Sequence, residues 1–211
     1  MTRNDEKGVL LVVSGPAGVG KGTLCEMVAK RRPDVFLSVS ATSRPPRIGE
    51  KDGVHYYYKT KKQFEEMIKN GELLEYNKYV NGNYYGTPTA PCEEHLQKGE
   101  SIILEIDVEG GKQVKQKRPE VVMVFVVPPS FCELEKRLRG RGSETEEDIQ
   151  SRLKRSIEEF RLAKTYDYLV VNDTAENAAA KIEAIIDAEK CRTFRCIDKI
   201  QNEIFQSSTE V

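Results

Sequence analysis

The chain has 211 residues, enough to bury a hydrophobic core and form one domain with lobes, whereas two independent domains would be cramped. Lys and Arg (33) nearly balance Asp and Glu (34), so a formal charge of -1 gives no global basic footprint for nucleic acid, and any anion site must be local. With 38% hydrophobic and 32% charged residues the composition excludes a disordered chain. Residues Met1 to Lys7 lack the apolar stretch of a secretory signal and no apolar run reaches membrane-spanning length, which predicts a cytoplasmic protein with no membrane contact. The five cysteines are scattered, with no CxxC pair or His cluster, and are expected to be reduced thiols.

Val9 to Val13 is a short apolar run of buried-strand type, followed by Gly15-Pro16-Ala17-Gly18-Val19-Gly20-Lys21-Gly22-Thr23 and then by Leu24, Met27 and Val28 at helical spacing. Strand, glycine loop and helix form the context of a P-loop, in which backbone N–H groups and a helix N-terminus converge on phosphate and the lysine adds a point charge. Gly15, Gly20 and Lys21 fit that spacing. The hydroxyl expected after the lysine is displaced by one place, since Gly22 precedes Thr23, and this puts magnesium ligation by that hydroxyl in question. A glycine-rich turn alone would not require the lysine, and the glycine order is wrong for a dinucleotide fingerprint.

The first helix is predicted from Lys21 to Arg32, and Phe36 to Ser40 reads as the second strand. Ser40 to Glu50 is an ordered loop in which Pro45 and Pro46 stiffen the backbone between Arg44 and Arg47, favouring closure of both guanidinium groups on one dianion. Val54 to Lys59 reads as β-rich, Phe64, Met67 and Ile68 mark a short amphipathic helix ending at Gly71, and Leu73 to Val80 reads as a strand. Asn81-Gly82 then turns into Asn83 to Thr87, a hairpin signal. A helix from about Pro88 to Gln97 leads back to the main body.

Ser101 to Asp107 is an apolar strand ending in an acid, the pattern of a Walker B segment, with Glu105 competing for the metal-binding role. Gly110 and Gly111 open a helix whose Lys112, Lys115, Lys117 and Arg118 read as a solvated basic face. Val121 to Val127 is a fully apolar strand. A helix from Ser130 to Arg139 runs into Arg139-Gly140-Arg141-Gly142, where two glycines beside two arginines predict a hinged lid. Ile149, Leu153, Ile157 and Phe160 give the next helix its apolar face, and Arg152 and Arg155 lie on the same helix. Tyr166 to Asn172 reads as the last strand, Ala178 to Ile186 as the final helix, and the tail after Thr193 as only weakly patterned.

The alternation predicts an α/β fold: a P-loop-type parallel sheet flanked by helices, with an inserted lobe (a small antiparallel sheet plus a helix) and an Arg-rich lid. The expected layout is one domain, with core 8–40 and 100–190, insert about 41–99, lid about 139–150 and tail 194–211.

The stretches SGPAGVGKGT, SVSATSRPPRIGE, GNYYGT, LEIDVEG and RLRGRG, in this order, resemble the guanylate kinase family from about Gly8 to Ala188. The resemblance implies transfer of the γ-phosphate of ATP to GMP in purine nucleotide metabolism, with ATP and magnesium required. It makes the insert the nucleoside-monophosphate-binding lobe and places Ser40, Arg44, Arg47, Tyr56 and Tyr85 on the GMP phosphate. Glu75 falls on the N1–H and N2 amine of guanine, and Thr87 on its O6. On the donor side it implies that Gly15 to Thr23 wrap ATP, that Lys21 reaches the β- and γ-phosphates, and that Arg137, Arg141 and Arg152 approach the transferring group. Asn172 and Asp173 match adenine contacts. Asp107 matches an acid near both base and metal, and Thr23 or Asp107 would hold magnesium directly or through water. Two other readings remain open: another P-loop kinase of small phosphorylated acceptors, and an inactive guanylate-kinase-like domain that binds phosphorylated peptides.

Overall fold

The computed structural model describes residues 7–79, 82–140 and 145–206. Its elements run β1 (Leu10–Ser14), α1 (Lys21–Arg31), β2 (Val35–Leu37), β3 (Ala41–Thr42), β4 (Tyr57–Tyr58), α2 (Lys61–Lys69), β5 (Leu73–Lys78), β6 (Tyr84–Pro88) and α3 (Thr89–Gln97). They continue as β7 (Ser101–Glu105), α4 (Val108–Lys117), β8 (Val122–Val127), α5 (Phe131–Arg139), α6 (Glu146–Leu162), β9 (Tyr168–Val171), α7 (Ala175–Lys190) and α8 (Thr193–Gln206).

The larger sheet has the order β2-β7-β1-β8-β9, and every neighbouring pair is parallel. Each residue of β1 is buried because the strand is covered on both faces. Val9, Leu11 and Val13 pack into a cluster with Leu24 and Val28 of α1, Leu134 of α5 and Ile182 and Ile186 of α7. Leu10 and Val12 point the other way, into a cluster with Cys92 and Leu96 of α3 and Val114 of α4. This two-sided burial is why the strand reads as a continuous apolar run rather than an alternating one.

The insert carries a second sheet, β4-β3-β6-β5. It is mixed rather than antiparallel: β3 pairs antiparallel with β6, and β6 with β5, but β3 and β4 run parallel. Its small core stacks Phe64 on Tyr84, ring centroids 5.3 Å apart, with Ala41 and Leu73. Thr60 and Gln63 form a capping box that starts α2.

Several sequence expectations are corrected. The strand expected at Phe36 to Ser40 ends at Leu37 in β2, the two-residue β3 follows at Ala41–Thr42 in the other sheet, and the β-rich stretch Val54 to Lys59 contributes only Tyr57 and Tyr58 to a strand. Pairing partners, not propensity, set these lengths. Helix α4 opens at Val108, capped by the Asp107 carboxylate accepting from Gly110 N–H, so Gly110 and Gly111 lie inside it. Its basic residues are not all solvated: Lys115 Nζ donates to Val121 O, Lys117 Nζ to Leu73 O, and Arg118 pairs with Glu93. Ile157 is 47% exposed although Ile149 and Leu153 on the same face are buried. Within the tail, α8 occupies Thr193–Gln206, and Phe194, Ile197 and Ile200 recur along it every three residues. The lid stretch 141–144 and the turn residues Val80 and Asn81 lie outside the described residues.

Candidate active site

The loop between β1 and α1 is bent by glycines that other residues would strain. Gly20 caps α1 at φ +91°, and a Cβ there would stand 2.6 Å from Asn172 Nδ2. Ala17, Gly18, Gly20, Lys21, Gly22 and Thr23 line a cleft of about 320 Å³, closed on one side by Glu105. Pro16 and Val19 are buried beneath this surface, and Gly15 lets the loop leave β1 against the Val126 carbonyl.

Lys21 Nζ is folded back onto the loop, donating to Gly15 O at 2.6 Å and Pro16 O at 3.1 Å. Burial lowers its pKa, opposed most strongly by the charge of Glu105. Glu105 is in turn pushed above the ordinary carboxylate range by burial, against the pull of Lys21. Gly22 explains part of this geometry, because a Cβ there would sit 3.4 Å from Glu105 Oε2. The missing hydroxyl therefore leaves room for an acid from the neighbouring strand.

A second cleft, of about 350 Å³, opens between the two sheets and is lined by Ser40, Tyr56, Glu75, Asn77, Tyr79, Tyr85 and Asp107. Lys21 and Glu105 line it as well, so the two clefts share these side chains. Glu75 is 5% exposed, and Oε1 accepts from the Thr87 hydroxyl at 2.7 Å. Burial pushes its carboxyl up to about 7, with Thr87 opposing and nearby Asp107 adding to the rise. Asp107 Oδ1 accepts from Gly110 N–H at 2.8 Å and from Asn77 Nδ2 at 3.3 Å.

Arg44 packs its guanidinium 5.4 Å from the Tyr56 ring centre and interacts with Tyr85, both cleft-lining residues. Its side chain is half-sequestered by a bidentate pair with Glu50, whereas Arg47 is exposed. The five residues expected on a phosphate thus fall into Ser40, Tyr56 and Tyr85 on the wall, Arg44 against the tyrosines, and Arg47 on the outer loop.

On the far side, Asn172 is buried and its amide donates to Val19 O at 2.7 Å, bracing the glycine loop from the end of β9. Arg137 donates to Asn172 O at 3.2 Å and to Glu133 Oε1 at 2.9 Å. Asp173 is exposed and its carboxylate accepts from Thr174 N–H. Arg152 is half-buried on α6. That helix faces the clefts electrostatically, since Glu159 acts on Lys21 and Arg155 on Tyr79. Arg141 lies outside the described residues.

Asn77 and Tyr79, which also line the cleft, belong to no sequence motif. The available signal was strand periodicity, because residues two and four beyond Glu75 share its face. Glu50 and Tyr58 were passed over as members of a loop and a β-rich stretch; no local pattern marks their contact with Arg44.

The guanylate kinase family model matches residues 7–189. The chain belongs to the guanylate kinase family. A guanylate kinase of Halalkalibacterium halodurans is 51% identical over 194 residues, covering 92% of this chain and 95% of that protein. One from Clostridium perfringens is 45% identical over 206 residues, covering 98% and 93%. The crystal structure of guanylate kinase from Anaplasma phagocytophilum superposes with a TM-score of 0.74 at 31% identity, covering 95% of this chain and 97% of that one. The cleft at the glycine loop and the cleft between the two sheets meet at Lys21 and Glu105. Among the described residues no helix is long and apolar enough to cross a membrane.

Proposed function

We propose that this guanylate kinase transfers the γ-phosphoryl group of ATP to GMP, with the two nucleotides occupying the two clefts that share Lys21 and Glu105. The observation that carries the reading is the buried Glu75–Thr87 pair at the wall of a cleft continuous with the glycine loop. Guanine N1–H and the N2 amine donate to the carboxylate, and the Thr87 hydroxyl turns its one proton from Glu75 to O6, which accepts. Adenine turns an N1 lone pair toward the carboxylate and lacks the N2 amine. Leaving such a buried group unpaired costs about 1–3 kcal/mol, and more when it is charged.

The acceptor phosphate is assigned to Ser40, Tyr56 and Tyr85 with Arg44 and Arg47, a set of three hydroxyls and two forked cations suited to a dianion. Gly15 to Thr23 hold the ATP phosphates, and Lys21 exchanges its two loop carbonyls for phosphate oxygens. Asn172 braces the loop, Asp173 next to it is assigned with it to the adenine side, and Arg137, Arg141 and Arg152 supply positive charge to the transferring group. The chemistry needs no nucleophilic side chain or general base, because the attacking oxygen already belongs to an anionic phosphate. The barrier lies in bringing two polyanions into line, and fixed cations lower it.

The residues also fit magnesium, a hard cation that takes one or two carboxylates together with phosphate oxygens and water. Glu105 beside Gly22, the Thr23 hydroxyl in the same cleft, and Asp107 across from them are the oxygens that would hold it. When bound, it neutralises charge on the transferring phosphoryl group. The test is ADP formation in a panel of nucleoside monophosphates with ATP and magnesium. Turnover with GMP and dGMP supports the reading, and selective turnover of AMP or of a sugar phosphate would replace it.

A further inference from the structure

Glu50 closes the loop that carries both arginines of the acceptor lobe, and its carboxylate gathers donors from both ends of that loop. Oε2 accepts from Arg44 Nη1 at 2.8 Å, from the Arg47 backbone N–H at 2.7 Å and from the Tyr58 hydroxyl at 2.8 Å. Oε1 accepts from Arg44 Nη2 at 2.9 Å. These contacts, Arg44 foremost, hold the carboxyl down to about 2, so it is ionised throughout the neutral range.

The arrangement decides which edge of Arg44 is turned away from Glu50. A guanidinium has five N–H donors in a planar fork. Nη1 uses both of its own, on Glu50 and on Pro45 O at 2.8 Å, and Nη2 gives one to Glu50. The second Nη2–H and the Nε–H lie side by side on the other edge, and a parallel pair of donors matches two oxygens of a phosphate. Tyr56 and Tyr58 flank the guanidinium, with ring centres 5.4 and 5.8 Å from its carbon, and limit its rotation. Its interaction with Tyr85 ties it to the acceptor cleft, whose wall includes both Tyr56 and Tyr85.

We propose that Glu50 is a positioning residue for the acceptor phosphate: it grips the outer edge of Arg44 so that the Nε and Nη2 edge is presented, already oriented, to the phosphate dianion of GMP. Ordering a free arginine on binding costs side-chain entropy, and a guanidinium fixed beforehand avoids that loss. The carboxylate does not touch the ligand. It acts through Arg44, and to a smaller extent through the Arg47 backbone. The proposal rests on the GMP reading of the cleft.

The test is a double-mutant cycle read by calorimetric GMP binding and by steady-state rates, using Glu50→Gln, Arg44→Lys and the double variant in the full chain. Glu50→Gln is expected to weaken GMP binding about tenfold or more and to raise the KM for GMP, with kcat changed less than about threefold and ADP binding unaltered. In the Arg44→Lys background, which lacks the fork, the same substitution should change GMP binding less than about twofold. Glu50→Asp, which keeps the charge one methylene short, should fall between wild type and Glu50→Gln. Wild-type-like GMP binding by Glu50→Gln would overturn the proposal. So would an equal loss in the Arg44→Lys background, since Glu50 would then act by another route. If the wild-type chain binds no GMP, the functional reading fails and this proposal with it.

Discussion

The Thr87 hydroxyl donates a 2.7 Å hydrogen bond to Glu75 Oε1 while both side chains are sealed from solvent. The bond occupies a carboxylate that the proposed base recognition needs ionised and facing the cleft. Burial opposes ionisation and Thr87 favours it, leaving the carboxyl near 7. Guanine binding would complete the stabilisation by bringing two N–H donors to the same group in place of one hydroxyl.

This balance predicts a pH dependence. GMP binding should strengthen as pH rises from about 6 to 8, because the ionised carboxylate is the acceptor form, and in Glu75→Gln that dependence should disappear. The same substitution should lower kcat/KM for GMP by about a hundredfold and relax rejection of AMP, since an amide can donate to adenine N1. Stability moves the opposite way. The folded-state pKa, about 7, lies above the ordinary value of 4.5, so the folded chain holds this proton more tightly and loses stability as pH rises between the two. Thermal melts at pH 5 and pH 8 should differ less in Glu75→Gln than in wild type.

Thr87→Val removes the hydroxyl at nearly constant volume. Glu75 loses its donor and its carboxyl should titrate higher still, so the pH profile of GMP binding should shift toward alkaline values. Activity with GMP should fall about tenfold to a hundredfold, and Thr87→Ser should retain most of it. A wild-type profile in Thr87→Val would detach Thr87 from base recognition.

Arg44→Ala should lower kcat/KM for GMP by two or more orders of magnitude while the melting temperature changes by only a few degrees. The side chain lies against a partly exposed loop, and Glu50 retains the Arg47 N–H and Tyr58 hydroxyl. An unchanged rate would remove Arg44 from the phosphate site.

Asn172→Ala should raise the KM for ATP and lower stability. The lost bond to Val19 O is buried, and a stranded carbonyl costs about 1–3 kcal/mol, or roughly 3–10 °C in a chain of this size. Melting and ATP titration measure the two effects separately.

The core was legible because its determinants are local: the apolar runs of β1 and β8 are buried on both faces, and the glycine loop with Lys21 names its own chemistry. The insert was less legible. β3 and β4 are two residues each and exist only because Ala41 and Thr42 find Tyr57 and Tyr58 on one side and Gly86 and Tyr85 on the other. Helix α8 was missed because its apolar residues are spread among polar and charged neighbours and leave Phe194, Ile197 and Ile200 exposed. In the site, Glu75, Asp107 and Tyr56 line one cleft although they lie far apart in sequence, and Asn172 lies beneath the glycine loop. Glu50 was invisible as a partner of Arg44, because a six-residue separation across two prolines has no fixed geometry until the loop folds.

The central claim is that one continuous site joins ATP at the glycine loop to GMP at Glu75. Its most direct test is the initial rate of ADP formation with ATP, magnesium and either GMP or AMP, in wild type and in Glu75→Gln. Wild type is expected to turn over GMP rapidly and AMP at least two orders of magnitude more slowly, and the variant to show a much smaller ratio. Comparable rates with GMP and AMP in wild type, or a ratio unaltered in Glu75→Gln, would contradict it.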